Sequence, residues 1–558
     1  MNHQIETPIR SPSQARFRSR EERIQIGKSL RERLPRSSHA IWQPPAAGRE
    51  PIEIIEASNR GRLQELIPIR YGRMLRSPFT FLRGSAALMA YDLATTPKTD
   101  IIVQACGDCH LLNFGFFATP ERNLVFDIND FDETLPAPWE WDLKRLVVSF
   151  VIAGRDSDLS DQESKAAAID CARSYREHLR EYSRLSPLEV WYTRIGAEQA
   201  IEMAPDEKTR KLREQMMAKA RERIIEHLYP KIVTQTGGRN RFVDQPPILY
   251  HVNEPDWETL VREGLEDYRQ SLPEERRVLF DRYQLEDFAL KVVGIGSVGT
   301  RCYIALLFSE DNHPLILQVK EACPSVLEPY TAKSQYENQG QRVVTGQRLM
   351  QSSSDIFLGW TRGRRGNNFY LRQLRDMKFS LPIEGVSAVQ LQRYAEFCGW
   401  TLARAHAKSG DAATISGYLG KGDQFDLALG EFAIAYAEQT EQDHAALVEA
   451  VQRIQPAATP ASVAQDTLTW LGPCIGPQAF EVGPEVRDAF VAHQPAAQQA
   501  FEASIGGRFL ANLPLLARWR LGALGITRVA GNDGILFHDK FGDGQLHSMD
   551  QFAFAQYG

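Results

Sequence analysis

Val293-Gly-Ile-Gly-Ser-Val-Gly-Thr300 sets three glycines at G-x-G-x-x-G spacing between stretches of strand-forming residues, and no other feature restricts the fold as much. The same spacing opens a helix in dinucleotide-binding βα units. Here the loop runs directly into Cys302-Tyr-Ile-Ala-Leu-Leu-Phe308, whose β-branched, aromatic and apolar residues predict a strand, so the glycines are expected to close a β-hairpin. A turn cluster, Glu310-Asp-Asn-His-Pro314, leads into a further strand, Leu315-Ile-Leu-Gln-Val-Lys320, which ends on a lysine. A hairpin of this kind can lay backbone amides over phosphates while the strand delivers one ammonium to them. Gly294, Gly296, Ser297 and Gly299 are therefore candidates for phosphate cover and Lys320 for phosphate anchor. A strand-end lysine on its own is more often simply solvated; the loop beside it shifts the reading.

A second constellation lies far upstream. Cys106-Gly-Asp-Cys-His-Leu-Leu-Asn113 is followed by Leu124-Val-Phe-Asp127-Ile-Asn-Asp130-Phe-Asp132-Glu133. An aspartate with an asparagine five residues on lets one loop present a base to a hydroxyl and an amide oxygen to Mg²⁺, and a carboxylate after an apolar run can take the same metal from another side. Asp108 is the candidate base, with Asn113, Asp127 and Asp130 as candidate metal ligands. Two other readings share these letters. Cys106-x-x-Cys109-His110 matches the attachment motif for c-type haem, but the N-terminus shows no secretory signal to accompany it. Isolated Asp and Asn also commonly do no more than cap turns.

The parts stand in an unusual order, with the acidic loop far ahead of the glycine loop. Circular permutation would reconcile that order, since it is tolerated where original termini lie close together at a surface. The helical run Leu391–His406 is similar to the helix that leads into the catalytic loop of small-molecule kinases, and Ile101-Ile-Val-Gln104 would be its continuation in space.

Pro68-Ile-Arg-Tyr-Gly-Arg73, Phe79-Thr-Phe-Leu-Arg83-Gly, the two acidic stretches, Trp139-Glu-Trp-Asp142-Leu-Lys-Arg and Leu402-Ala-Arg-Ala-His-Ala-Lys-Ser-Gly-Asp411 together resemble a bacterial domain-of-unknown-function family, number 2252, over most of residues 20–450. Its segments are in turn similar to the aminoglycoside-phosphotransferase branch of the protein-kinase-like fold. The resemblance implies an α+β, bilobal, circularly permuted kinase-like fold with a mostly helical large lobe and a β-rich small lobe. It also implies ATP and Mg²⁺ as cofactors, Asp108 and Lys320 as catalytic residues, and Asp142 as a supporting carboxylate near the catalytic loop. The helix glutamate that pairs with the lysine in that branch has no clean counterpart: Glu321 is adjacent to it, Glu337 lies in a polar run, and Gly340–Met350 offers only glutamines.

Extra carboxylates at Asp130, Asp132 and Glu133 leave open a two-metal phosphoester hydrolase, and a nucleotide-binding protein without turnover is a further alternative. Transfer of a nucleotidyl group in place of a phosphoryl group stays open, and neither a small molecule nor a protein is excluded as acceptor. A net charge of -6 argues against a general nucleic-acid coat, and no apolar run reaches membrane-spanning length. Seven scattered cysteines suggest a reducing compartment, so a cytoplasmic protein is expected.

Along the chain, residues 1–45 form a basic leader, solvated or partly helical, and 46–235 carry the catalytic-loop part of the helical lobe, with Leu146–Gly154 as a buried helix. Thr236–Pro247 reads as a boundary loop by its glycines and prolines. Residues 236–380 form the glycine-loop lobe with linker helices, with Phe369–Asp376 at the cleft edge and Arg375 beside the nucleotide. Residues 381–454 return to the helical lobe, and 455–558 form an accessory region with an Asp533-Gly534 hairpin turn. Arg70, Arg73 and Arg83 are candidates to clamp an anionic substrate or to form ordinary ion pairs.

Overall fold

The computed structural model describes residues 18–45, 48–202, 207–221, 229, 232–252, 256–374, 378–379, 383–454, 468–470, 480–523, 526 and 528–530. The protein is a mixed α+β chain with several small sheets and divides into two compact units, residues 1–244 with 248–447, and residues 245–247 with 448–558.

In the first unit, Ile102–Ala105 (β1) pairs antiparallel with Leu135–Pro138 (β4), and Phe114–Ala118 (β2) forms a hairpin with Leu124–Ile128 (β3). The two acidic loops are the β1–β2 and β3–β4 connections, so strand pairing alone sets them side by side. Asn129 N donates to Asn113 O at 2.7 Å and Thr134 Oγ1 to Ala105 O at 2.6 Å, tying one loop to the other. Behind them lie three long helices, Trp139–Asp156, Asp161–Tyr182 and Ala388–Ser409. Leu143, Leu146, Val147, Phe150 and Val151 are fully buried there beside Leu391, Leu402 and Ala403, so the expected buried helix is present and extends in both directions.

Val233–Thr236 (β5) and Arg239–Phe242 (β6) form a hairpin across Gly237 and Gly238, both at positive φ, where the sequence suggested only a boundary loop. The glycines were turn residues inside a paired element. Leu249–Tyr250 (β7), Tyr283–Lys291 (β8), Cys302–Ser309 (β9), Pro314–Ala322 (β10), Gly359–Arg362 (β11) and Asn368–Gln373 (β12) make an antiparallel sheet in the order β11-β12-β10-β9-β8-β7. The expected hairpin is β8–β9, closed by the glycine loop. Alternation decides where its partner strand points. Leu315, Leu317 and Val319 pack with Tyr268, Leu272 and Phe280 of the helices Trp257–Ser271 and Glu274–Phe280, while Ile316, Gln318 and Lys320 occupy the opposite face. Lys320, four residues along from the buried Ile316 on the same face, is thereby turned inward.

Among the described residues the basic leader is partly helical, and its helix is docked through one face while most of its side chains stay at least partly exposed. Arg20–Arg33 lies against Ala412–Leu419 so closely that a Cβ at Gly27 would collide with the carbonyl of Thr414, and one at Gly417 with that of Ile24. Arg31 and Arg36 donate to the carbonyls of Tyr418 and Leu419, and Arg23 pairs with Asp411 at 3.0 Å. Arg31 and Arg36 thereby meet the carbonyls that end the helix Ala412–Leu419.

The second unit contains a three-stranded antiparallel sheet of Glu481–Val482, Phe509–Ala511 and Phe501–Ala503. Ala497, Ala500 and Leu516 form its small core, with Phe490 and Trp519 packed against them. The expected Asp533-Gly534 turn lies outside the described residues. No helix among the described residues is long and apolar enough to cross a membrane.

Candidate functional site

The helix Trp139–Asp156 holds the first acidic loop through one face. Asp142, Arg145 and Ser149 stand at i, i+3 and i+7, the spacing that aligns side chains along a helix. Asp142 accepts from Cys106 N at 2.7 Å and Gly107 N at 2.9 Å, Arg145 Nε donates to Asp108 Oδ1 at 2.6 Å, and Ser149 Oγ accepts from Leu111 N at 3.0 Å. Asp142 is thus where a supporting carboxylate would stand; Arg145 was missed, although its helical spacing from Asp142 was there to be read. Burial pushes the Asp108 carboxyl above its ordinary range, and Arg145 opposes that shift without cancelling it. Asn113 Nδ2 donates to Asp108 O at 2.5 Å, an orientation that leaves Oδ1 as the side chain's atom for a cation.

Asp127 and Asp130, three residues apart, face different surroundings. Asp127 is fully buried. Its Oδ1 accepts from Arg404 Nη2 at 2.5 Å and Ile128 N at 2.9 Å, and its Oδ2 from Ser352 N and Oγ, both at 2.7 Å. Both oxygens are engaged, and a metal there would have to displace a buried guanidinium. Asp130 instead faces Lys320 at 3.5 Å. Burial pushes its carboxyl up, but Lys320, Arg372 and Lys378 more than offset this and hold it below the usual carboxylate range.

The two distant stretches of chain meet at Asp132. Its Oδ2 accepts from Lys320 Nζ at 2.6 Å and from Ser297 Oγ of the glycine loop at 3.1 Å, while its Oδ1 accepts from Tyr370 Oη at 2.6 Å. Tyr370 is the register partner of Lys320 across β10 and β12, which places its ring 5.5 Å from the ammonium. Lys320 is 3% exposed. Burial alone would lower its pKa, but Asp130 and Asp132 raise it well above the ordinary value, so the ammonium is charged. Its partners are these two aspartates; Glu321 binds Arg301 and Asn367, and the helix Gln339–Met350 presents Arg342, which donates to the carbonyls of Thr134, Asp132 and Cys323.

The glycine loop is fastened by its carbonyls. Arg62 Nη1 donates to Gly296 O at 2.8 Å and Val298 O at 2.6 Å, Leu63 N donates to Gly299 O at 2.7 Å, and Arg73 to Gly294 O. Gly294 and Gly299 have φ of 61° and 88°, left-handed values that glycine adopts without strain. Of the three upstream arginines, Arg70 is structural, bound to Asn59, Ser58 and Gly84 O. Arg73 anchors the loop. Arg83 has Asp108, Arg73 and Asp130 as charged neighbours. Arg375 lies outside the described residues.

The helix Ala388–Ser409 closes the arrangement from behind. His406 Nε2 stands 3.3 Å from Asp142 Oδ2, and its Nδ1 2.8 Å from Tyr175 Oη. At the helix end, Ser409 Oγ accepts from Gln104 N at 3.1 Å, and a Cβ on Gly410 would sit 2.5 Å from Val103 Cγ1. The end of this helix therefore abuts the strand that leads to Asp108.

Comparison with known proteins divides the chain in two. Residues 445–537 match the family described as multi-copper polyphenol oxidoreductase laccase. Curated relatives align with short stretches only: the purine nucleoside phosphorylase of Pseudomonas aeruginosa is 56% identical over 75 residues, 13% of this chain and 31% of that protein. The Escherichia coli K12 enzyme of the same name is 48% identical over 69 residues, 12% and 28%, and the Haemophilus influenzae one 41% over 78 residues, 14% and 32%. The chain spans under a third of the length of these relatives. Residues 62–450, which contain every site residue described above, match the family described as "uncharacterized protein conserved in bacteria (DUF2252)", and the chain belongs to that family.

Proposed function

We propose that the first unit is a kinase-like phosphotransferase in circularly permuted order, transferring the γ-phosphoryl group of ATP to an acceptor hydroxyl with Mg²⁺ bound. The observation that carries this reading is that Lys320 and Ser297 of the glycine loop both donate to Asp132 of the acidic loop, with Asp130 3.5 Å from the same ammonium. These are the parts phosphoryl transfer needs: a backbone cover, an ammonium, and oxygen donors for a hard cation. The contact between the Ser409–Gly410 helix end and β1 supports the permutation, because a chain running through that contact would restore the order helix, strand, catalytic loop.

In this reading Asn113 and Asp130 hold the metal, which neutralises charge on the phosphates when bound. Asp127 secures Arg404 instead. Lys320 and the loop from Gly294 to Gly299 bind the triphosphate, and Asp108 orients the acceptor and accepts its proton, a role that suits a carboxyl raised by burial. Arg145 is a positioning residue for Asp108. A two-metal hydrolase is less well supported, because Asp132 is hydrogen-bonded by Lys320, Ser297 and Tyr370, and Glu133 by Val326 N.

Turnover of ATP with Mg²⁺ by the intact chain, compared with Asp108→Ala and Lys320→Ala, tests the proposal. Both variants should lose at least about a hundredfold in rate. Equal turnover in all three chains would remove both residues from the mechanism.

A further inference from the structure

Nearly every arginine around the site is already engaged. Arg145 binds Asp108 and Leu82 O, Arg372 binds Asn129 O, Arg342 binds three carbonyls, Arg62 and Arg73 hold the glycine loop, and Arg404 binds Asp127. Arg83 differs. Its Nε is buried without an acceptor, and its side chain makes no hydrogen bond or ion pair among the described residues. It stands in the last turn of the helix Pro78–Gly84, and its own carbonyl lies 3.3 Å from where a Cβ on Gly296 would stand. The middle glycine of the loop therefore lies over the backbone of residue 83, while the guanidinium has Asp108 and Asp130 as its acidic neighbours.

We propose that Arg83 is a catalytic residue that binds the phosphoryl group in transfer, between the base Asp108, the metal ligand Asp130 and the glycine loop. This rests on the phosphotransferase reading above. In the step, the acceptor oxygen forms a bond to the γ-phosphorus as the bond from that phosphorus to the β–γ bridging oxygen breaks. ADP leaves with that electron pair, and the acceptor's proton passes to Asp108. Negative charge is spread over the three non-bridging oxygens of the moving group. A planar guanidinium with unused N–H donors matches such oxygens by charge and by geometry. A partly desolvated cation without a hydrogen-bonded counterion is also costly to keep. Burial pushes the Arg83 pKa down and the two aspartates restore it only in part, so an arriving anion would relieve that cost.

The test is calorimetric titration of the full chain with Mg-ADP, alone and with aluminium fluoride, whose complex with ADP mimics the phosphoryl group in flight. Wild type should bind Mg-ADP and bind it at least about thirtyfold tighter with the fluoride. Arg83→Gln should bind Mg-ADP within about twofold of wild type and lose the tightening, and Arg83→Lys should recover part of it. Thermal melts of both variants confirm folding, and Arg83→Lys serves if the glutamine variant is unstable. Equal tightening in wild type and variants, or none in a wild type that binds Mg-ADP, overturns the role of Arg83 and leaves nucleotide binding standing. Failure of wild type to bind Mg-ADP overturns the underlying reading, and this inference with it.

Discussion

Lys320 Nζ donates to Asp132 Oδ2 at 2.6 Å, joining a central strand near its end to a loop 188 residues earlier in the chain. Asp130 lies on the other side of the same ammonium at 3.5 Å, so one buried cation balances two carboxylates. Removing one partner from a buried ion pair costs about 3–5 kcal/mol, because the remaining charges stay desolvated. Lys320→Met should therefore lower unfolding stability by about 3 kcal/mol, and adding Asp132→Asn should recover roughly 1 kcal/mol or more. Denaturant melts of the two single variants and the double variant measure the coupling; strict additivity would show that the contact carries no energy.

Asp127 and Asp130 should separate cleanly by experiment. Asp127→Asn leaves Arg404 buried without its counter-charge and is expected to destabilise by about 3 kcal/mol. Asp130→Asn removes a carboxylate that Lys320, Arg372 and Lys378 hold low, but Lys320 keeps Asp132 as a partner, so the stability cost should be smaller, and Mg²⁺-dependent nucleotide binding should weaken at least about tenfold. Reversal of the two phenotypes would return the metal to Asp127.

Glu133 gives a pH signature. Burial pushes its carboxyl up to about 7, with Arg342 and the hydrogen bond from Val326 N opposing. The folded value lies above the unfolded one, near 4.5. The protonated form is therefore favoured by folding: this contribution is complete below about pH 4.5 and is lost as the pH rises through 7. Glu133→Gln should be more stable than wild type by roughly 1–3 kcal/mol at pH 8 and close to it at pH 4.5. Melting temperatures across that range would show it, and parallel curves would rule it out.

Gly27→Ala should unseat the N-terminal helix, because its Cβ would meet backbone at Thr414. An overpacking cost of about 1–3 kcal/mol is expected, visible as earlier proteolysis near Arg20–Arg33. An unchanged cleavage pattern would mean that the helix is not held by this contact.

Much of the site could be read from residue order. Hairpin, lysine strand and acidic loops follow from local pattern: glycine spacing, alternation and turn residues. What stayed hidden depended on contacts between residues far apart in the chain. Asp127 and Asp130 look alike three positions apart, and only Arg404 and Ser352, supplied from much later in the chain, distinguish them. Lys320 is paired not by a helix glutamate, Glu321 or Glu337 but by Asp132 of the β3–β4 connection, a carboxylate that Ser297 and Tyr370 also hold. The basic residues of the N-terminal stretch suit a solvated or a partly helical leader alike, and only Gly417, at the far end of the first unit, shows that Gly27 marks a close helix crossing.

Calorimetric titration of a non-hydrolysable ATP analogue into the full chain, with and without Mg²⁺, for wild type and Asp130→Asn, decides whether this site binds a nucleotide through a metal. Binding by wild type should depend on Mg²⁺ and be at least about tenfold weaker in the variant. Absence of binding by wild type, or equal metal-dependent affinity in both chains, would contradict it.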